Sequence, residues 1–281
     1  MVVPVPSLIV ICGKGRIATS ALSYTVHYVA TQSLPARVVA CPNTDDKGYD
    51  TWQASLLRAA AQLGVECVSL QEVETERNLL LVSLEYDRIV RVTRFLSRRL
   101  YNIHFSALPK YRGVFTSIWP LLNGESHVGV TLHYMDEGVD TGAIVAQRMI
   151  PLASYVTARQ VYDLYMDEGF ALFREWLPRL VTTQPEAIAQ DETRATSYNR
   201  ASIDLGKVEV DLSQTADRIC AFIHAFSFPE YQLPTVRGRA IRSCVSIPGN
   251  STAPPGTALH ETAYSTSFAT GDGRIVEVIW A

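Results

Sequence analysis

The five cysteines of this chain, at positions 12, 41, 67, 220 and 244, never stand in a C-x-x-C spacing, and their number is odd. That argues against a disulfide framework and against a Cys-based zinc site. A reducing, cytoplasmic setting is the expectation. Basic residues are also in short supply: 25 Lys and Arg face 28 Asp and Glu, a formal charge of −3. A nucleic-acid grip needs many phosphate-neutralising cations, so no nucleic-acid partner is expected. No apolar stretch approaches the roughly 20 residues that span a bilayer, so no membrane partner is expected either. The first six residues lack a basic start, and the apolar run at 8–12 is short even for the core of a signal peptide.

What is present is a globular balance, with 281 residues, 47% of them hydrophobic and 19% charged. That length suits one large domain or two unequal ones. Residues 7–12 (SLIVIC) read as a short buried strand, followed by GKGRIA and an apolar-periodic stretch at 19–31. Two further strands fall at 38–41 and 65–70. Between them a helical pattern covers 50–63, with Trp52, Leu56, Leu57 and Ala60 at helical spacing. Another strand lies at 79–82 or at 87–90. Strands and helices alternating in this way predict an α/β fold with a mostly parallel sheet.

Beyond 123 the texture changes. Residues 129–135 (GVTLHYM) alternate as a strand, 144–150 form another, and Thr157 is placed to cap a helix running to about 180. Polar residues 182–195 read as a linker. A helix near 212–225, a turn-rich stretch at 248–256 and a tail alternating around Asp272-Gly273 suggest a smaller, β-rich C-terminal domain. The expected division is 1–185 and 186–281.

Gly13-Lys14-Gly15-Arg16-Ile17-Ala18 is a G-x-G-x-x-A turn between a strand and a helix, where backbone N–H groups can cradle an anion. A dinucleotide site wants an acidic residue at the end of the second strand. This chain has Cys41-Pro42-Asn43 there. A phosphate site helped by Lys14 or Arg16 and a purely structural turn are the other readings, and all three stay open. A nicotinamide-dependent oxidoreductase is the corresponding alternative function. The pairs Asp45-Asp46 and Arg98-Arg99 suggest no role by themselves.

Polar chemistry is densest in two places: Asn102-Ile103-His104, and the acidic loop Asp136-Glu137-Gly138-Val139-Asp140-Thr141-Gly142. If Asn102 and His104 end a strand, they point to one side of it. An amide donor, an imidazole and a carboxylate suit acyl transfer: Asn can donate to a developing oxyanion, His can take a proton, and Asp can orient the ring. A turn amide, a surface histidine and a hairpin loop are the plainer readings. The acidic loop lacks the ligand spacing of an EF-hand, and no metal is expected.

Together, N-x-H-x-S-x-L-P-K-Y-R-G and GVTLHYMDEGVDTGAI resemble the 10-formyltetrahydrofolate-dependent formyltransferase family, over roughly residues 79–152. The resemblance implies a Rossmann-like formyltransferase fold, with Asn102, His104 and Asp140 as the catalytic trio. It also implies 10-formyltetrahydrofolate as co-substrate. Its pteridine would be held largely by backbone around Leu84, Glu85 and Tyr86 and around Asp136 and Gly138. For Leu84 and Tyr86, core packing is the other reading.

Within the family, the stretch 42–53 (PNTDDKGYDTWQ), the block 102–125 and the segments 197–204 and 226–234 are most similar to nucleotide-linked sugar N-formyltransferases. The implied acceptor is the amine of a dTDP- or GDP-linked deoxy amino sugar, and the implied setting is lipopolysaccharide O-antigen or other surface-polysaccharide biosynthesis. The resemblance further implies a homodimer formed through the smaller domain. Methionyl-tRNA formylation is the same-fold alternative. A nucleoside diphosphate needs cations for its phosphates and a flat surface for its base. Lys14, Lys110, Arg112 and Arg200 can meet the charge. Tyr198, Phe226 and Tyr231 can meet the base, with Asn199 in the same segment as Tyr198. Core packing and solvated charge are the other readings of these residues.

Overall fold

The structure is a computed structural model, and it describes residues 3–206 and 208–281. All six residues of β1 (Leu8–Gly13) are buried. An unbroken apolar run suits a strand covered on both faces, and β1 has parallel neighbours on both sides. The chain continues through α1 (Gly15–Thr31), β2 (Arg37–Pro42), α2 (Leu56–Leu63), β3 (Glu66–Cys67), β4 (Leu79–Leu84) and β5 (Leu100–His104). After short β6 (Arg112–Gly113) and α3 (Trp119–Leu122) come β7 (His127–Tyr134), β8 (Ile144–Pro151), the long α4 (Ala158–Thr182) and β9 (Ser197–Tyr198).

One sheet carries seven strands in the order β3-β2-β1-β4-β5-β7-β8. The first five are parallel, and β7 runs antiparallel to β5. This is the expected mostly parallel, Rossmann-like α/β sheet, with its strand order reversing between β1 and β4.

Local boundaries differ from the sequence pattern where side chains compete with the backbone. The helix expected at 50–63 begins only at Leu56. Asp50 accepts the Ser55 N–H at 3.0 Å, and Asp46 accepts the Leu57 N–H at 3.0 Å and the Ser55 hydroxyl at 2.6 Å. These bonds hold the preceding segment as a loop. The strand expected at 65–70 is only Glu66–Cys67, because Ser69 and Glu72 close a capping box directly after it. Of the two alternatives for the next strand, 79–84 forms β4, and 87–90 is not a strand.

A second sheet is antiparallel, in the order β10-β11-β14-β13-β12. It comprises β10 (Thr235–Val236), β11 (Arg239–Asn250), β12 (Ala258–Glu261), β13 (Ser265–Ala269) and β14 (Arg274–Trp280), and α5 (Ala216–Phe226) packs on β11 and β14. Ile219, Ile223, Ile241, Phe268, Val276 and Val278 form its core. This is the β-rich C-terminal region that the alternating tail predicts. The helix starts at Ala216 rather than 212, where Thr215 caps it by accepting the Arg218 N–H.

The chain forms two compact units. One gathers the chain up to Gly113 with Gly129–Met149 and Tyr165–Ser197; the other takes Val114–Val128, Ile150–Leu164 and the chain from Tyr198 onward. The polar stretch at 182–195 is tied down in the first unit, where Ile188 and Ile144 exchange two backbone hydrogen bonds of 2.8 Å.

Candidate active site

Asn102 and His104 lie two residues apart on β5 and so share a face. Across the antiparallel ladder Asn102 faces His133 and His104 faces Thr131. Directly opposed residues point the same way, so both partners join that face. The other face is apolar, with Ile103, Phe105 and Ile17 crowding Gly169 of α4.

The loop after β7 folds back over the polar face. Asp140 Oδ2 lies 3.4 Å from His104 Nδ1. Asn102 Nδ2 lies 3.3 Å from Asp140 Oδ1 and 3.1 Å from His133 Nε2. The Gly113 N–H donates to Asp140 Oδ2 at 2.9 Å. Gln190 donates to the carbonyls of Asp140 and Gly142, both at 2.8 Å. The Arg112 guanidinium in turn holds Gln190 and Glu192. At Gly142 a Cβ would sit 1.8 Å from the Tyr134 carbonyl oxygen, so only glycine lets the loop turn there. Asp136 braces the loop's start by accepting from the Gly138 N–H at 3.1 Å and the Thr141 hydroxyl at 2.6 Å.

Burial by itself would raise the Asp140 carboxyl. The opposing influence of His104, with the Gly113 N–H that donates to it, wins and holds it well below the usual carboxylate range. It is therefore a carboxylate at neutral pH. His104 Nε2 lies 2.8 Å from the Tyr111 carbonyl, which only accepts, so that nitrogen carries a hydrogen. Nδ1 is the nitrogen left to take up a proton, and a proton there lies beside the carboxylate. An amide donor, a proton acceptor and a fixed negative charge thus converge on one partly open face. That set can stabilise an oxyanion and remove a proton from an attacking amine.

The other expected residues are spread more widely. Leu84 ends β4, fully buried and paired with Ile103. The Glu85 carbonyl accepts from Asn43, and the Tyr86 hydroxyl lies 3.4 Å from Cys41 Sγ. Lys14 pairs with Asp45 at 3.6 Å and lines a cavity of about 190 Å³ with Asp46, Lys47 and Tyr49. Lys110 is half-buried. In the second unit Tyr198 stacks on Trp119 at 3.9 Å, Asn199 caps a short helical turn, and Arg200 is exposed. Tyr231 is exposed, with its ring 4.9 Å from Phe228. Two residues read as ligand contacts are otherwise engaged. Arg112 is buried and bonded to Gln190 and Glu192, and Phe226 is buried against Phe222.

The glycine turn has the geometry of its structural reading. The Lys14 N–H donates to the Leu84 carbonyl at 3.2 Å and the Gly15 N–H to the Ala54 carbonyl at 3.1 Å. Those two groups therefore do not cradle an anion, and Arg16 pairs with Asp167 at 2.7 Å. Sequence reasoning passed over His133 and Gln190. For His133 the signal was present, since a histidine in an alternating strand just before the acidic loop is an unusual thing to bury. Gln190 gave none, because its bonds cross 50 residues of sequence. Among the described residues no group of three or more His, Cys, Asp or Glu could hold a metal ion, and no helix is long and apolar enough to cross a membrane.

Comparison with known proteins brings further findings. The sugar 3N-formyl transferase WlaRD, solved in the presence of dTDP and 5-N-formyl-THF, matches with a TM-score of 0.88 and 32% identity over 98% of both chains. An N-formyltransferase from Helicobacter canadensis, in complex with folinic acid and dTDP-3-aminofucose, matches with a TM-score of 0.87 and 34% identity over 98% of this chain and 100% of that one. A methionyl-tRNA formyltransferase of Alkaliphilus oremlandii (strain OhILAs) is 30% identical over 173 residues, 58% of this chain and 55% of that protein. The chain thus spans about half the length of that curated relative. Residues 25–177 match the family described as formyl transferase. With more than half of its length matched and the acyl-transfer constellation inside that span, the chain belongs to the formyl transferase family.

Proposed function

We propose that this enzyme transfers a formyl group from 10-formyltetrahydrofolate to the 3-amine of a dTDP-linked deoxy amino sugar. The observation that carries the reading is the convergence of Asn102, His104 and Asp140 on one face, in a chain matched end to end by two sugar N-formyltransferases. Their ligands, dTDP or dTDP-3-aminofucose with a reduced folate, support the choice of nucleotide, amine position and donor class.

A reduced pterin is flat and edged with donors and acceptors. The chain's own chemistry suits it: the end of β4 and the loop from Met135 both flank β5, since Leu84 pairs with Ile103 and the Met135 N–H donates to the Leu100 carbonyl. Backbone around Glu85, Tyr86, Asp136 and Gly138 would hold it, and it would supply the formyl carbon. His104 Nδ1 would take the proton released as the amine attacks the formyl carbon, and would return it to the folate nitrogen that leaves as its bond to that carbon breaks. The Asn102 amide donates to the formyl oxygen as charge develops there, and the positive charge of protonated His104 stabilises it from nearby. Asp140 keeps the imidazole oriented and stabilises its charged form. Lys14 and Lys110 are proposed for the diphosphate.

The test is turnover of a dTDP-linked 3-amino sugar with 10-formyltetrahydrofolate, followed by product mass. His104→Ala should lower kcat by about 10²–10⁴-fold, the usual loss for a positioned general base. Retention of more than half the wild-type kcat would refute the assignment.

A further inference from the structure

His133 makes no contact that the proposed chemistry has used, yet it is buried on the same face, with only 2% of its surface exposed. Its Nδ1 lies 2.7 Å from the Tyr134 carbonyl. A carbonyl only accepts, so in the neutral ring Nδ1 carries the hydrogen and Nε2 presents a lone pair. That lone pair faces Asn102 Nδ2 at 3.1 Å. An acceptor at this point decides which end of the Asn102 amide faces inward: nitrogen is bonded, oxygen would be repelled.

The same geometry sets where the amide's two hydrogens go. Nδ2 is 3.1 Å from His133 Nε2 and 3.3 Å from Asp140 Oδ1, and those two acceptors are 3.6 Å apart. The three distances subtend about 68° at Nδ2, whereas the two hydrogens of a planar amide diverge by about 120°. Both acceptors fall within the reach of essentially one hydrogen. With that hydrogen on the nearer acceptor, His133, the other lies about 50° off the Asp140 oxygen. So large a misalignment makes a weak bond. It remains available to a new acceptor.

We propose that His133 is a positioning residue: as its Nδ1–H tautomer it anchors one hydrogen of the Asn102 amide and thereby aims the other at the formyl oxygen. This rests on the formyl-transfer reading of the trio. A misaimed donor remains present, so its loss should cost less than its removal.

The test is a double-mutant cycle on the intact enzyme, with kcat and KM measured separately and folding checked by thermal unfolding. His133→Phe should lower kcat about 10–100-fold, the scale of a small misplacement of a reacting group, with KM for the sugar nucleotide little changed. His133→Gln, whose side-chain oxygen also accepts, should recover most of that loss. In an Asn102→Ala background His133→Phe should cost almost nothing further, because the group it acts through is gone. The ¹⁵N spectrum of the wild-type enzyme should show His133 as the Nδ1–H tautomer. Additive losses in the double variant, or an Nε2–H tautomer, would overturn the positioning role while leaving the trio intact. An Asn102→Ala variant with undiminished kcat would overturn both the positioning role and the reading of Asn102 on which it rests.

Discussion

Asp140 occupies the left-handed backbone region at φ 56°, which Asp and Asn tolerate better than most residues. Asp140→Asn is therefore a change of charge with little change of backbone fit. The variant loses the carboxylate beside His104 Nδ1, and its amide can donate where the carboxylate accepts. A drop in kcat of about 10²–10⁴-fold is expected, with sugar-nucleotide affinity nearly unchanged, since the proposed mechanism puts Asp140 beside the reacting groups and away from the nucleotide. Separate kcat and Kd measurements check this; lost affinity with kcat preserved would make Asp140 a binding residue.

The same substitution has a signature in stability. The folded state holds the Asp140 carboxyl below its ordinary value. Its ionised form therefore stabilises the fold fully above about pH 4–5, and this contribution fades as pH falls through the depressed folded value. The stability gap between wild type and Asp140→Asn should shrink as pH falls below about pH 4. Denaturant midpoints over that range would show it. A gap that widened in acid would contradict the assignment of a favourably held carboxylate.

At the scale of elements, β1 and β4 meet where Gly13 passes under the Leu84 carbonyl. A Cβ at Gly13 would lie 1.8 Å from that oxygen, and φ is 133°. Gly13→Ala should cost on the order of 3–5 kcal/mol, among the larger effects of a single substitution. A cost under about 1 kcal/mol by denaturant unfolding would mean that the turn can open.

This glycine was legible as a G-x-G-x-x-A turn, but its partner was not, because Leu84 is 71 residues away. The same division runs through the molecule. The apolar run of β1, the Asn-x-His alternation on β5 and the glycine-bearing acidic loop are local patterns, and each formed where local spacing put it. Residues defined by partners far along the chain were opaque. The stretch 182–195 looks like a linker because it is polar. Its Gln190 amide, however, bonds the two carbonyls that flank the turn after Asp140. Arg99 and Asp46, which suggested nothing in sequence, prove to be caps. Buried Arg99 donates to the Leu180 and Val181 carbonyls at the end of α4, and Asp46 receives N–H groups from the start of α2. The approach of His133 to Asn102 depends on the register between β5 and β7, which no single segment encodes.

At the scale of the whole chain, the two candidate acceptors differ most in charge. The chain carries a net −3, and few cations are proposed for a diphosphate. Binding of a sugar nucleotide should therefore weaken only modestly with salt, whereas a tRNA would contact many phosphates and show a steep logarithmic slope. Titrations at several salt concentrations separate the two. The relatives matched end to end are sugar N-formyltransferases, and the methionyl-tRNA formyltransferase aligns over only 58% of this chain.

The most direct measurement is a comparison of kcat/KM, with 10-formyltetrahydrofolate as donor, for a dTDP-linked 3-amino sugar, its 4-amino isomer and methionyl-tRNA. Formylation of the 3-amino sugar is expected to be at least about tenfold more efficient than that of the isomer, a difference of about 1.4 kcal/mol in transition-state binding, with no measurable formylation of the tRNA. Efficient formylation of methionyl-tRNA, with the sugar nucleotides left unmodified, would contradict this expectation.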